Sequence, residues 1–306
     1  MKRVLLLMAT NFAVVVVLGI LWNVLDGLFG ISASLRQMGL PAEFGYIAVM
    51  SLVMGFAGSF ISLAMSKSSA KRSMGVYVIE QPSNQQERWL LNVVARQAER
   101  VGIDMPEVGI FDTPEPNAFA TGARKNAALV AVSTGLLNTM TADEVEAVLG
   151  HEMAHVANGD MVTQTLLQGV MNTFVIFFSR VIASVVNSAL SGNRNNDGGQ
   201  QGGSYGMTYF IVSTIAQIAL GFLANIVVMW FSRYREFQAD KGGAELAGRQ
   251  KMIDALKALQ RGHQPQDLPG ELAAFGIAGG IGNGLKKLFM THPPLEERIA
   301  ALESQR

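Results

Sequence analysis

Residues 151–155 read His-Glu-Met-Ala-His, and this pentapeptide decides how the rest of the chain is interpreted. Histidines four residues apart lie on one face of an α-helix, about one turn from each other. Two imidazoles so placed can bind one Zn²⁺, while the carboxylate of Glu152 reaches a water on the open metal position. A pair of satisfied core histidines is the alternative explanation of the same five residues. The spacing therefore favours a metal-dependent peptide hydrolase.

The flanking sequence predicts that the pentapeptide is helical. Residues 141–144, Thr-Ala-Asp-Glu, have the form of a capping box, which begins a helix at its N-cap threonine. Apolar residues then recur at helical spacing up to Asn158-Gly159, where glycine favours an end. Both histidines are thus expected inside one helix that begins after Thr141.

Composition excludes several classes of protein. The 306 residues contain no cysteine, so disulfides and thiolate metal sites are ruled out. Formal net charge is zero, which gives no reason to expect a nucleic-acid partner. Only 16% of the residues are charged and 49% are hydrophobic, which is typical of membrane proteins. The length suits one or two domains.

Four apolar segments are long enough to cross a bilayer, which takes about 20 residues in a helix. They run from Val4 to Trp22, Phe44 to Met65, Leu166 to Leu190 and Met207 to Phe231. The first follows Lys2 and Arg3 and is expected to be a retained signal-anchor, because no clear cleavage site follows it. The third carries Arg180, and we expect its long side chain to extend so that the guanidinium lies at the membrane interface.

Basic residues predict the orientation of these segments, because they concentrate on the cytoplasmic side. They flank the apolar segments as Lys2, Arg3, Lys67, Lys71, Arg72, Arg233 and Arg235. The Gly- and Asn-rich stretch between Ser191 and Gly206 is expected outside. We predict a transmembrane hairpin (1–66), a cytoplasmic catalytic part (67–163), a second hairpin (164–231) and a second cytoplasmic catalytic part (232–306).

The predicted fold class is a mainly α membrane protein. Four transmembrane helices accompany a cytoplasmic, zincin-like α+β catalytic domain with a small sheet. The cytoplasmic ends of these helices place residues after the fourth segment on the same side as the two histidines.

A catalytic zinc usually has three protein ligands, and without cysteine the third is His, Glu or Asp. His263 lies in a turn-like Gly-His-Gln-Pro and is expected at the surface. Glu236 and Asp240 are four residues apart on a continuation of the fourth helix. One of these carboxylates can bind the metal while the other accepts a hydrogen bond from a ligand imidazole. The alternative is a solvated helix face paired with Arg233 or Arg235.

Three motifs occur together in this chain. His151–His155 is followed by Asn158-Gly159-Asp160, residues 235–240 read Arg-Glu-Phe-Gln-Ala-Asp, and residues 291–298 read Thr-His-Pro-Pro-Leu-Glu-Glu-Arg. In this order, and with four apolar segments around them, they resemble the HtpX family of bacterial heat-shock membrane zinc metalloproteases. That family is related to the CAAX prenyl endopeptidases. The resemblance covers nearly the whole chain.

The resemblance implies roles for individual residues. It implies that His151, His155 and Glu236 bind one Zn²⁺ and that Glu152 is the general base. Asp240 would orient a ligand imidazole, His292 would donate a hydrogen bond to the tetrahedral intermediate, and Arg298 would hold the His292 segment. Apart from any such role, Pro294 is predicted to be the first residue of the last helix.

Residues 117–119, Asn-Ala-Phe, are similar to a strand of thermolysin-like peptidases. With Ala128 to Ser133 after a polar turn, they predict a small hairpin. An edge strand beside the zinc can hold an extended substrate by main-chain hydrogen bonds, so Asn117, Ala118 and Phe119 are predicted substrate-binding residues. An ordinary hairpin is the alternative.

The predicted function is that of a zinc metalloendopeptidase of the bacterial inner membrane. The active site and both termini are expected on the cytoplasmic side. The resemblance implies quality control of misfolded or damaged membrane proteins during stress. The predicted partners are polypeptide substrates, the lipid bilayer and other membrane quality-control proteases. Two alternatives remain at this point, a CAAX-type prenyl peptidase and a non-enzymatic, zinc-stabilised scaffold or holdase.

Overall fold

The computed structural model describes residues 20–191, 206–262 and 292–304. Its helices are α1 (Ile20–Phe29), α2 (Ile31–Gln37), α3 (Glu43–Ser73), α4 (Gln85–Val101), α5 (Thr134–Thr139), α6 (Ala142–Asn158), α7 (Asp160–Ser191), α8 (Met207–Ala247), α9 (Arg249–Gly262) and α10 (Leu295–Ser304). Its strands are β1 (Tyr77–Val78), β2 (Glu107–Phe111), β3 (Ala118–Thr121) and β4 (Leu129–Ser133). The chain divides into two compact units, Met1–Gly58 with Gln168–Ala224, and Ser59–Leu167 with Asn225–Arg306.

Among the described residues, three helices, α3, α7 and α8, are long and apolar enough to cross a membrane. They contain the second, third and fourth predicted segments, and Arg180 lies half-buried on α7. Most of the first predicted segment lies outside the described residues, as do the Gly-rich stretch at 192–205 and His263. The short apolar helix α1 begins near the end of that first segment. The predicted class, a mainly α membrane protein with a small sheet, is confirmed, whereas the four domain boundaries stay a prediction.

The first unit is held together by close helix contacts and leaves large apolar side chains exposed. A Cβ on Gly55 of α3 would lie 2.3 Å from Thr173 Oγ1 on α7, so the glycine permits this crossing. Phe210 and Ile218 on α8 are 65% and 69% exposed. Such apolar exposure along a helix is costly in water and is expected against lipid.

The second unit contains a four-stranded sheet of order β1-β2-β4-β3. Strand β2 is parallel to β4, while β1 and β3 are antiparallel to their neighbours. The sequence explains β4, because five consecutive residues, Leu-Val-Ala-Val-Ser, are all buried. The predicted hairpin is confirmed, with a 3₁₀ turn at Lys125–Ala127 between β3 and β4.

Helix α6 lies in the centre of this unit. Its capping box is present, since Thr141 accepts from the amide of Glu144 and the Glu144 carboxylate accepts from that of Thr141. Gly159 ends the helix with φ 68°, a left-handed conformation that favours glycine. The core around α6 includes fully buried side chains of four helices and β4, namely Leu90, Val130, Leu149, Met153, Leu256 and Leu302.

Candidate active site

Helix α6 presents His151 and His155 one turn apart on the same face. Their Nε2 atoms face each other at 3.2 Å, with the rings at 86°. His151 is only 7% exposed. Burial on this scale removes water as a hydrogen-bond partner, so the ring nitrogens need partners from the protein or a bound ion.

Helix α8 brings a carboxylate to the same place. Glu236 Oε2 lies 3.5 Å from His151 Nε2, and Oε1 lies 3.4 Å from His155 Nε2. The ligand atoms of the three residues all lie within 4.8 Å of one another. Two nitrogens and one carboxylate are a donor set that suits Zn²⁺ in a catalytic site.

The other ring nitrogen of each histidine contacts a second carboxylate. His151 Nδ1 lies 2.9 Å from Asp240 Oδ1, and His155 Nδ1 lies 2.5 Å from Asp160 Oδ2. Since an ionised carboxylate only accepts, each Nδ1 carries the donated proton. Each neutral imidazole then directs the lone pair of Nε2 toward the space beside Glu236. The two Nε2 lone pairs and the buried Glu236 carboxylate converge on one place and would be stabilised by a cation there. The residues therefore fit a metal ion.

Glu236 supports the same conclusion. Its Oε2 atom is buried and accepts no hydrogen bond of good geometry from any residue within the described ranges. Nitrogens of His292 and Arg298 lie 2.8 and 3.4 Å from it but are not aligned as donors. A buried carboxylate oxygen left without a donor is expensive unless it binds an ion.

The carboxylates also control protonation of the histidines. Burial lowers the pKa of His155, but hydrogen bonds to Asp160 and Glu236 outweigh it and raise the pKa to about 9. For His151, burial again lowers the pKa, and the hydrogen bond to Asp240 together with the nearby Glu236 carboxylate raises it above its ordinary value overall. In the absence of a metal, a proton on Nε2 is therefore favoured on both rings, and it occupies the lone pair that a metal ion would otherwise bind.

Arg298 fixes Asp240 from the last helix. Its Nε donates to Asp240 Oδ2 at 2.7 Å and its Nη2 to Oδ1 at 2.6 Å, a two-point pair. Both residues are buried, with 6% and 1% exposure. Helix α10 begins at Leu295 and not at the predicted Pro294, whose carbonyl instead accepts from the amides of Glu297 and Arg298.

Glycines allow α8 to approach α6 closely. A Cβ on Gly243 would lie 3.0 Å from the His151 amide nitrogen, and one on Gly242 would lie 2.6 Å from the Ala154 Cβ. The two glycines follow Asp240 within one turn. Larger side chains here would separate the helices that carry the three metal-binding candidates.

The site opens into a cleft of about 480 Å³. Glu152 lines it beside His151, and the exposed Asn117 and the half-buried Ala118 line it from the start of β3. The rest of the lining is mainly apolar and includes Leu136, Val148, Met252, Leu256 and Leu259. A cleft with apolar walls, a carboxylate and a possible cation site suits a peptide substrate.

The structure brings together nearly all of the predicted site residues. His292 lines the cleft with its Nδ1 against Glu236, and its side chain is 62% exposed. Phe119 is the exception, because it lies next to Phe111, 5.4 Å between ring centroids, and does not line the cleft. In β3, Phe119 alternates with Ala118, so these two side chains lie on opposite faces of the sheet, while Asn117 lines the cleft from the position before the strand.

The sequence analysis gave no role to Asp160, although this residue belongs to the Asn158-Gly159-Asp160 motif quoted there. It is the first residue of α7, and Arg235 Nη1 donates to its carbonyl at 2.5 Å. An acidic residue five positions after His155, directly after a helix-ending glycine, was the available signal. The approach of Gly242 and Gly243 to α6 was also missed.

Comparison with known proteins identifies a protease family. The sequence profile of peptidase family M48 matches residues 84–306. Protease HtpX of Thioalkalivibrio sulfidiphilus is 56% identical over 304 residues, 99% of each chain. Protease HtpX of Alkalilimnicola ehrlichii is 54% identical, over 100% of this chain and 99% of the other. The resemblance to the HtpX proteases is confirmed.

A solved structure shares the fold. The crystal structure of S. mikatae Ste24p matches with a TM-score of 0.61 at 17% sequence identity, covering 96% of this chain and 67% of that one. The family, the apolar helices and the cluster on α6 and α8 together describe a multi-pass membrane metalloprotease. Since the profile spans well over half of its residues, the chain belongs to peptidase family M48.

Proposed function

We propose that the protein is a zinc endopeptidase in which His151, His155 and Glu236 hold one Zn²⁺. The observation that carries the proposal is the convergence of both Nε2 atoms and the Glu236 carboxylate beside Glu152 in the cleft. A bound zinc ion would lower the pKa of a water to about 7 and polarise the scissile carbonyl. A structural zinc would need a fourth protein ligand, whereas the described residues offer a cluster of three with Glu152 in the adjoining cleft, which supports a catalytic site.

Glu152 acts as the general base in this proposal. It removes a proton from the attacking water and later delivers that proton to the leaving amine. His292, exposed in the cleft, donates a hydrogen bond to the oxyanion of the tetrahedral intermediate. Asp240 and Asp160 orient the two imidazoles, and Arg298 holds Asp240.

Strand β3 holds the substrate main chain. Ser133 donates its amide to the carbonyl of Asn117, and hydrogen-bonded pairs alternate along antiparallel strands. Phe119 therefore bonds across to Ala131, while the amides and carbonyls of Ala118 and Ala120 are directed away from β4. They support main-chain pairing with an extended substrate next to the site. Recognition through the main chain suits an enzyme that accepts many sequences.

The apolar helices and the HtpX relatives support membrane proteins as substrates. We propose that misfolded or damaged membrane proteins are cleaved at the cytoplasmic face of the bacterial inner membrane. The basic residues that flank the apolar segments support cytoplasmic termini and the four-part division given above. Other membrane quality-control proteases are the proposed partners.

The test is Glu152→Gln in the purified protein. We expect bound zinc to remain and cleavage of a membrane-protein substrate to be lost. Glu146→Gln is the matched control, because Glu146 lies on the same helix but pairs with Arg96 and Lys251. Retained cleavage in Glu152→Gln would rule out the base assignment, and its full complementation of the cellular function would favour a scaffold. Faster cleavage of prenylated than of unprenylated peptides would favour a CAAX-type peptidase.

A further inference from the structure

A second concave surface lies against β3, separate from the cleft. This groove measures about 550 Å³ and is formed by the end of α3 and the strand. We name it the α3 groove and define it by Ser62, Met65, Ser66, Ser69, Phe119 and Thr121. None of these side chains is charged.

Two lysines of α3 form ion pairs and a hydrogen bond with the sheet region. Lys67 Nζ lies 3.0 Å from a carboxylate oxygen of Glu107 on β2 and donates to the carbonyl of Ala127 at 3.1 Å. Lys71 Nζ lies 2.5 Å from the other oxygen of Glu107. Burial raises the pKa of Glu107, but both lysines outweigh it and lower the pKa overall. The lysines next to the groove are thus engaged elsewhere, and the lining offers no counter-charge.

The groove and the cleft are lined by neighbouring residues along β3. Asn117 and Ala118 line the cleft with Glu152, and Phe119 and Thr121 line the groove. Side chains of a strand added to the free edge of β3 would point alternately to the two faces of the sheet. One set would enter the cleft on the side of α6, and the other set would enter the α3 groove.

The free edge of β3 indicates the kind of occupant. The amides and carbonyls of Ala118 and Ala120 are directed away from β4, toward the side on which a further strand would pair. An extended polypeptide carries amides and carbonyls along its length, whereas a lipid acyl chain has none. The edge of β3 requires the same extended backbone.

We propose that the α3 groove binds alternate side chains of the substrate segment next to the scissile bond and selects uncharged ones. This inference rests on the proposed peptidase function, because its occupant is the chain that is cleaved. A charged side chain in the groove would lose water without gaining an ion pair. Segments that are unfolded and uncharged over several residues would therefore be preferred.

The experiment measures kcat/KM of the zinc-loaded, full-length protein in detergent for an uncharged fluorogenic peptide. A series of variants of this peptide carries one lysine at successive positions. In the wild type we expect lysine to reduce kcat/KM at alternate positions on one side of the cleaved bond. Ser69→Glu should improve cleavage of those same peptides about fivefold relative to the parent peptide, because the new carboxylate pairs with lysine.

Ser68→Glu is the matched control, since Ser68 is exposed on the same turn of α3 but does not line the groove. Equal peptide preferences in Ser69→Glu and Ser68→Glu would overturn the inference. So would an effect of Ser69→Glu that appears only with added phospholipid, since that would identify a lipid site. Thr121→Glu, on the opposite wall, provides the same test if Ser69→Glu does not fold.

Failure of the wider proposal gives a different result. If the zinc-loaded wild type cleaves none of the peptides or membrane substrates, the peptidase function itself is wrong. If it cleaves every lysine variant equally and Glu152→Gln cleaves none, the function stands and the groove assignment is wrong.

Discussion

Gly242 on α8 lies against Ala154 on α6 so closely that a Cβ on the glycine would be 2.6 Å from the alanine Cβ. Methyl groups cannot approach to this distance, so an added side chain must push the helices apart. Glu236 and Asp240 belong to α8, and the histidines to α6. The separation of the two helices therefore sets the distance between the metal-binding candidates.

Gly242→Ala should accordingly weaken metal binding. We expect an affinity loss of about tenfold or more, as for changes that disturb ligand orientation, and destabilisation of about 1–3 kcal/mol from overpacking. Competition with a chromophoric zinc chelator measures the affinity. Gly221→Ala is the control, because it lies on the same helix and its added Cβ would have no atom within 4 Å. Equal affinities of the two variants would contradict the prediction.

Asp160→Ala should also lower the affinity for metal, by about 10–100-fold. The alanine removes the acceptor of the His155 Nδ1 proton, so the ring loses its fixed tautomer and orientation. Zinc dissociation into excess chelator gives a readout that does not depend on proteolysis. Asp104→Ala, at an exposed aspartate, should leave dissociation unchanged. A dissociation rate equal to that of the wild type would exclude a positioning role for Asp160.

Arg298→Ala should destabilise the metal-free protein by about 3–5 kcal/mol, because it removes the two-point partner of the buried Asp240 carboxylate, which then keeps only His151 Nδ1. Arg261→Ala should cost less than about 1 kcal/mol, since Arg261 pairs with Glu144 at 3.4 Å while its own side chain is 70% exposed. Denaturant unfolding in detergent measures both. Combining Arg298→Met with Asp240→Asn should recover part of the loss. A small effect of Arg298→Ala would show that the pair is not buried in solution.

The stability of the metal-free protein should depend on pH through its histidines. The pKa of His155 rises from 6.5 in the unfolded chain to about 9 in the folded protein. A raised folded-state pKa gives stability that is complete below pH 6.5 and is lost as the pH rises through about 9. Bound metal replaces the proton and should remove this loss. The difference in Tm between the metal-loaded and the metal-free wild type should therefore widen from pH 6.5 to 9.

His155→Gln provides the control, because it should flatten the decline of Tm in the metal-free protein. A metal-free Tm that increases over the same range would contradict the assignment of the raised pKa.

Local sequence predicted the elements of the site because their signals are local. The capping box at Thr141 and Glu144 and the end at Gly159 depend on residues within one turn, and α6 begins and ends where they predict. The i, i+4 spacing of Glu236 and Asp240 likewise puts both on one face of α8. Their division of roles, with Glu236 at both Nε2 atoms and Asp240 at one Nδ1, follows from contacts with His151 and His155 across 81 to 89 positions.

Other features arise only from packing between distant segments. Asp160 next to His155 depends on the bend at Gly159, and the burial of Arg298 depends on how α10 docks. Arg298 is buried beside the apolar residues Ile299 and Leu302 of α10 because Asp240 neutralises it. Phe119 was predicted to bind substrate through the main chain of its strand, and that stays a prediction; strand alternation places its ring on the face away from the cleft, where it forms part of the α3 groove.

The length of β3 has a consequence for turnover. Four residues, Ala118–Thr121, form the strand, and Gly122 with φ 144° ends it. The free edge of a sheet can pair with strands of other chains and so promote aggregation. Short edge strands are a common way in which native proteins reduce such pairing. A peptide that pairs with so few residues gains only a few main-chain hydrogen bonds, each worth about 1 kcal/mol. Both fragments of a cut chain can therefore leave quickly, and a second copy of the protein cannot adhere there for long.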